Sequence, residues 1–118
     1  MPIVEIHMLP EQVKGLAELE EKIVKAFMDV KEIKNIKPNE IMVNIVPNYS
    51  LSNTGRFIYI NILMYQREER TSIVMKKLCS SIGEAVFSFA KEKIPDFEML
   101  EILPPKLIKA TDCLVLTK

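Results

Sequence analysis

The chain has 118 residues, of which 48% are hydrophobic and 27% charged, a balance that suits one ordered domain and excludes a disordered one. Its 16 basic and 16 acidic residues cancel to a formal net charge of zero, so no global field draws it to nucleic acid or to an anionic membrane surface. Two cysteines, Cys79 and Cys113, sit in no CxxC or Cys/His spacing, and neither a metal nor a disulfide is expected. With no signal-type N-terminus and no apolar run near the ~18 residues of a membrane span, the expected location is cytoplasmic.

Taken in chain order, residues 2 to 9 alternate between Pro2, Val4, Ile6 and Met8 on one side and Ile3, Glu5, His7 and Leu9 on the other, the pattern of a strand. Proline is tolerated as the first residue of a strand because its missing N–H need not join the ladder there. Pro10 is placed to open a helix, with Glu11 in its first turn. Val13, Leu16, Leu19, Ile23, Ala26, Phe27 and Val30 then form an apolar stripe, and Lys31 and Lys34 stand near the end. Lys37-Pro38-Asn39 reads as a turn, residues 40 to 46 as a second strand, and Asn48 to Gly55 as a loop. Phe57 to Tyr65 is a third strand, apolar enough to occupy a central position. Thr71 to Lys93 is a second helix and Phe97 to Leu103 a fourth strand.

The chain repeats itself. IKPNEIMVNIVP (36 to 47) and KIPDFEMLEILP (93 to 104) share Pro38 with Pro95, Met42 with Met99, Ile45 with Ile102 and Pro47 with Pro104. Each half therefore reads as strand, helix, turn and strand, a right-handed β-α-β unit. The expected fold class is α+β: repeat one over about 2–47 and repeat two over about 57–104 form a four-stranded mixed sheet with two helices on one face, in a single domain ending in a tail over 105–118. The face without helices, apolar by pattern, calls for a partner. Cys113 to Leu116, a β-prone run, could pair with a neighbouring subunit's edge or pack on its own subunit.

Met1-Pro2 ahead of a strand, the duplicated β-α-β unit, and YINILMYQREERT (59 to 71) running into the second helix together resemble the tautomerase superfamily. That group includes 4-oxalocrotonate tautomerase and macrophage migration inhibitory factor. The likeness covers about residues 1 to 104 and is nearest to a little-characterised bacterial branch. It implies a tautomerase/MIF-like homotrimer without cofactor, acting on a small-molecule keto or enol acid with the N-terminal proline as general base. Pro2 takes that role here once Met1 is removed. The resemblance also implies a cationic substrate anchor. Arg67 is the first candidate, although Gln66 stands where related isomerases carry a small residue; Arg56 and Arg70 are further candidates.

Elementary chemistry supports these roles. An α-amino group titrates near ~8, and burial in apolar surroundings or a nearby cation lowers that value toward neutrality, leaving a free base. Arginine stays charged and grips carboxylates with two hydrogen bonds. Alternatives are a noncatalytic module of the same fold, used for binding or assembly, and a ferredoxin-like small domain, whose element order is the same. His7, Asn44, Asn61, Tyr59 and Tyr65 read first as structural.

Overall fold

The computed structural model describes residues 2–10, 14–49 and 55–118. Its main elements are β1 (Ile3–Met8), α1 (Leu16–Met28), β2 (Met42–Pro47), β3 (Phe57–Tyr65), α2 (Ser72–Lys93), β4 (Met99–Ile102) and β5 (Lys106–Ile108). The sheet order is β2-β1-β3-β4, and β5 pairs with β3 beyond the end of β4. β1 runs parallel to β2, and β3 parallel to β4 and β5; β1 and β3 are antiparallel. Each β-α-β unit thus joins neighbouring strands. A ferredoxin-like domain splits its β-α-β unit around an inserted strand, so that alternative is excluded.

Period-two burial sets the layers. Val4, Ile6 and Met8 of β1 and Ile58, Ile60, Ile62 and Met64 of β3 are buried, while the intervening residues are only partly covered. The helices supply the matching stripes: Leu19, Ile23, Ala26 and Phe27 on α1, and Val74, Leu78, Ile82, Val86 and Phe89 on α2. These positions recur at three and four residues, so each helix turns one apolar face inward. The Ser81 hydroxyl donates to Ala26 O at 2.7 Å, tying α2 to the last turn of α1. At the surface, Lys77 and Glu32 form an ion pair between α2 and the turn after α1, and the Lys77 hydrogen bond holds the Glu32 carboxyl below its usual range.

Local chemistry decides where elements begin. The first helix starts later than Pro10 because Gly15 takes φ 82 and ψ 36 immediately before Leu16, a left-handed conformation that glycine reaches without a Cβ penalty. Val13 lies outside the described residues. Helix α1 stops at Met28, so Lys25 is the base of its last turn, and Lys31 and Lys34 lie beyond it. Pro38–Glu40 form a 3-10 turn ahead of β2. Thr71 caps α2, its hydroxyl accepting from Val74 N at 3.3 Å. The tail carries β5, which sequence alternation did not mark as a strand; the expected run 113–116 forms none, and Leu114, Val115 and Leu116 are 83%, 68% and 84% exposed.

The open sheet face differs from the apolar one expected. Registers Glu5↔Asn61 and His7↔Tyr59 place a polar band across its centre, and Asn44 continues it opposite Glu5. The His7 ring stacks on Tyr59 with centroids 4.0 Å apart, and its Nε2 lies 3.3 Å from Asn61 Nδ2 and 3.4 Å from Glu5 Oε1. His7 and Asn61 are therefore each other's hydrogen-bonding partners, which satisfies groups that would otherwise interrupt the strands at a cost. Among the described residues no helix is long and apolar enough to cross a membrane.

Ile60, fully buried at the centre of β3, tests this layering: Ile60→Ala is expected to lower unfolding free energy by about 3 kcal/mol. Ile73→Ala, at a position 69% exposed on α2, is expected to change it by less than about 0.5 kcal/mol. Chemical denaturation of the two variants against the parent chain measures the contrast.

Candidate active site

The antiparallel seam brings two sequence-distant chain segments to one end of the sheet. Ile3 at the start of β1 pairs with Leu63 near the end of β3, so Pro2 lies beside the exit of β3, from which Gln66 and Arg67 continue. Pro2 is buried, and its carbonyl accepts the Met42 N–H at 2.9 Å. Residue 2 is thereby fixed to both neighbouring strands through its carbonyl and its junction with Ile3, without needing the N–H that proline lacks. Met1 is outside the described residues.

β5 closes this end from the other side. Leu63 pairs with Lys106 and Tyr65 with Ile108, and Gln66 N donates to Ile108 O at 2.8 Å. Ile3, the residue after Pro2, lines with Leu63, Met64, Tyr65, Ile108 and Cys113 a hollow of about 140 Å³ at this end of the sheet. Its walls are mostly apolar, the surroundings that disfavour a charged amine. Small-molecule sites usually enclose about 300–1,000 Å³, and the hollow is smaller than that.

The three arginines have different situations. Arg67 is exposed, and its carbonyl accepts Arg70 N at 3.0 Å in the turn that leads to α2. Arg70 is 6% exposed; its Nη1 donates to Tyr65 O, and its Nε is buried without a partner. Burial, with a smaller contribution from Arg67, lowers the Arg70 pKa, and Glu69 acts in the opposite direction. Guanidinium remains charged at any ordinary pH all the same.

Arg56 stands at the opposite end of the sheet. It precedes β3, where Phe57 pairs with Met99, and its Nε and Nη2 lie 3.0 and 2.9 Å from Glu98 Oε2. Its guanidinium also covers the Phe57 ring at 4.8 Å. Arg56 is in fact the internal counterpart of Pro2: its carbonyl accepts Met99 N at 3.0 Å just as that of Pro2 accepts Met42 N. The structure therefore groups Pro2, Arg67 and Arg70 at one end and sets Arg56 apart within a single chain.

Sequence reading missed Ile108 and Cys113 as neighbours of the Pro2 end, because the tail reaches them only by continuing parallel to β3 past the Pro104-Pro105 break. Cys79 is a separate case: burial pushes its thiol pKa up, which keeps it a neutral thiol rather than a nucleophile. No group of three or more His, Cys, Asp or Glu among the described residues could hold a metal ion.

No protein-family model matches the chain, and no curated protein matches it in sequence. Solved structures do match it. A 5-carboxymethyl-2-hydroxymuconate delta-isomerase superposes with a TM-score of 0.75 at 12% identity, over 99% of this chain and 89% of that one. A fused 4-OT, a wild-type asymmetric trimer, gives a TM-score of 0.69 at 16% identity over 96% and 91% of the two chains. A domain of unknown function from Sebaldella termitidis ATCC 33386 gives 0.64 at 13% identity over 98% and 95%. At these identities the likeness concerns the backbone, and it covers nearly the whole chain in each case. The fold is that of the 4-OT and 5-carboxymethyl-2-hydroxymuconate isomerase group, an α+β tautomerase fold.

Proposed function

We propose that the chain is a cofactor-independent cytoplasmic tautomerase, working as a homotrimer, that moves a proton within a small keto or enol carboxylate. The observation that carries this reading is the seam register, which sets buried Pro2 beside the end of β3 that leads to Arg67. Removal of Met1 turns the Pro2 nitrogen from a tertiary amide into a secondary amine. Apolar surroundings and a nearby guanidinium favour its neutral form, so it has a lone pair available near pH 7. The nitrogen takes the enol O–H proton as the carbonyl forms and returns a proton to the adjacent carbon, so the amine ends the cycle neutral. Arg67 holds the substrate carboxylate and offsets negative charge on the oxygen.

A homotrimer supplies what the single chain lacks. The hollow of about 140 Å³ needs further walls, and fused 4-OT forms a trimer. The exposed Leu114 to Leu116 segment is available to cross onto a neighbouring subunit. Arg56, at the far end of its own sheet, would serve a Pro2 pocket only from another subunit. The second reading, a noncatalytic binding or assembly module, draws support from the same incomplete hollow and from the matching domain of unknown function.

Four measurements test these readings. Phenylpyruvate or 2-hydroxymuconate ketonisation by Met1-free protein is expected to fall at least about hundredfold in Pro2→Ala, the scale of a lost general base. Equal rates would remove Pro2 from the mechanism, and retention of Met1 in protein from its native source, read by mass spectrometry, would favour the noncatalytic module. Arg67→Ala is expected to raise KM about tenfold to hundredfold with a smaller change in kcat, as for loss of a charge-assisted hydrogen bond to substrate. Light scattering is expected to return the mass of three chains, and a monomer would leave the pocket without its remaining walls.

A further inference from the structure

A larger cavity lies on the helix side of the sheet, apart from the hollow lined by Ile3 and Leu63. It encloses about 620 Å³ between the first half of α2 and the Pro104-Pro105 segment that links β4 to β5. Leu107, in its wall, pairs with Met64, whose side chain is buried on the helix side; Ile3, Leu63 and Tyr65 alternate onto the open face. Neither Pro2 nor Arg67 lines it.

The cavity has two chemical ends. Met75, Ile102, Pro104 and Leu107 provide an apolar floor, and Arg70 and Lys76 are the charged groups in the lining, which contains no carboxylate. Arg70 is almost fully buried, forms no ion pair among the described residues, and leaves Nε without a partner. Glu69 exerts some opposing field, yet its own Oε1 is likewise buried without a partner. A buried guanidinium that forms no direct ion pair is an unfavourable arrangement that an incoming anion relieves. The volume falls within the usual range for small-molecule sites.

We propose that this cavity is a second binding site, independent of Pro2, for an amphipathic monocarboxylate: the carboxylate sits toward Arg70 and Lys76, and a short aliphatic or aromatic body lies on Met75, Ile102, Pro104 and Leu107. Apolar walls set this ligand apart from inorganic phosphate or acetate, which gain nothing from them. The two cations set it apart from a neutral alcohol of the same length. The site would add a ligand-responsive contact beneath the Pro104-Pro105 segment that leads from β4 into β5 at the Pro2 end.

Titration of the full chain with hexanoate, followed by NMR of the methionine and leucine methyl groups, tests the site. Saturable shifts are expected at Met75 and Leu107, with acetate and hexan-1-ol each at least about tenfold weaker, a factor worth about 1.4 kcal/mol. Arg70→Gln is expected to weaken hexanoate at least tenfold. Because Arg70 is buried and its replacement can unfold the chain, two changes at exposed positions keep the test decisive: Lys76→Glu and Ser80→Trp, the latter filling the cavity mouth, are each expected to weaken binding about tenfold. Pro2→Ala is expected to leave it unchanged, so failure of the catalytic reading and failure of this one are distinguishable. No saturation by about 10 mM hexanoate, equal binding of hexan-1-ol, shifts confined to Leu63 and its neighbours, or unaltered binding in both Lys76→Glu and Ser80→Trp would overturn the proposal.

Discussion

The antiparallel pairing of β1 with β3 is the constraint on which the rest of the molecule depends. Each β-α-β half can bury one sheet face beneath its own helix, but a two-stranded parallel pair with one helix makes a small core. Joining the halves through Ile3↔Leu63 to His7↔Tyr59 aligns Val4, Ile6 and Met8 with Ile58, Ile60 and Ile62 under both helices. A one-residue slip of β1 would turn Val4, Ile6 and Met8 onto the open face and bring Glu5 and His7 beneath α1 and α2. The register is consequently held from both sides, by apolar burial on the helix face and by the His7, Asn61 and Tyr59 contacts on the other.

How much of this was legible in the sequence follows from the range of the interactions involved. Period-two and period-3.6 patterns are local, and they place β1, β3 and α2 nearly to the residue. The internal repeat adds the parallel pairing, because two similar β-α-β units in one sheet leave few topologies. The late start of α1 was hidden because it depends on the conformation of Gly15, while Pro10 and Glu11 offer an equally good local start signal. β5 was hidden for a different reason: Lys106 to Ile108 is too short to alternate, and it becomes a strand only because Gln66 and the end of β3 are there to pair with it.

For the candidate site, the element boundaries put Pro2 and Arg67 at one end only with the antiparallel pairing of β1 and β3 that the structure supplies. The arginines could not be ranked by type, since a guanidinium in a charged run looks the same whether it points to solvent or inward. Arg70 and Arg67 are three residues apart, yet one is buried against Tyr65 O and the other exposed. Arg56 precedes the same strand that Arg67 follows, and nine strand residues separate the two. Sequence proximity to β3 was a poor guide to proximity to Pro2.

The internal symmetry gives that difference a physical meaning. Pro2 and Arg56 occupy equivalent positions, each presenting its carbonyl to the first residue of the following parallel strand, Met42 in one half and Met99 in the other. The far end of the sheet therefore repeats the backbone of the Pro2 end while its chemistry is different: a terminal amine is impossible in mid-chain, and Arg56 is engaged by Glu98 and Phe57. The exits of β1 and β3 are equivalent too, and there the halves diverge again, with Leu9-Pro10 after one strand and Gln66-Arg67 after the other. One half contributes a residue that can become a base and the other a cation. Antiparallel pairing is what brings these two contributions together, since in a parallel seam the start of β1 would lie beside Arg56 and its ion pair.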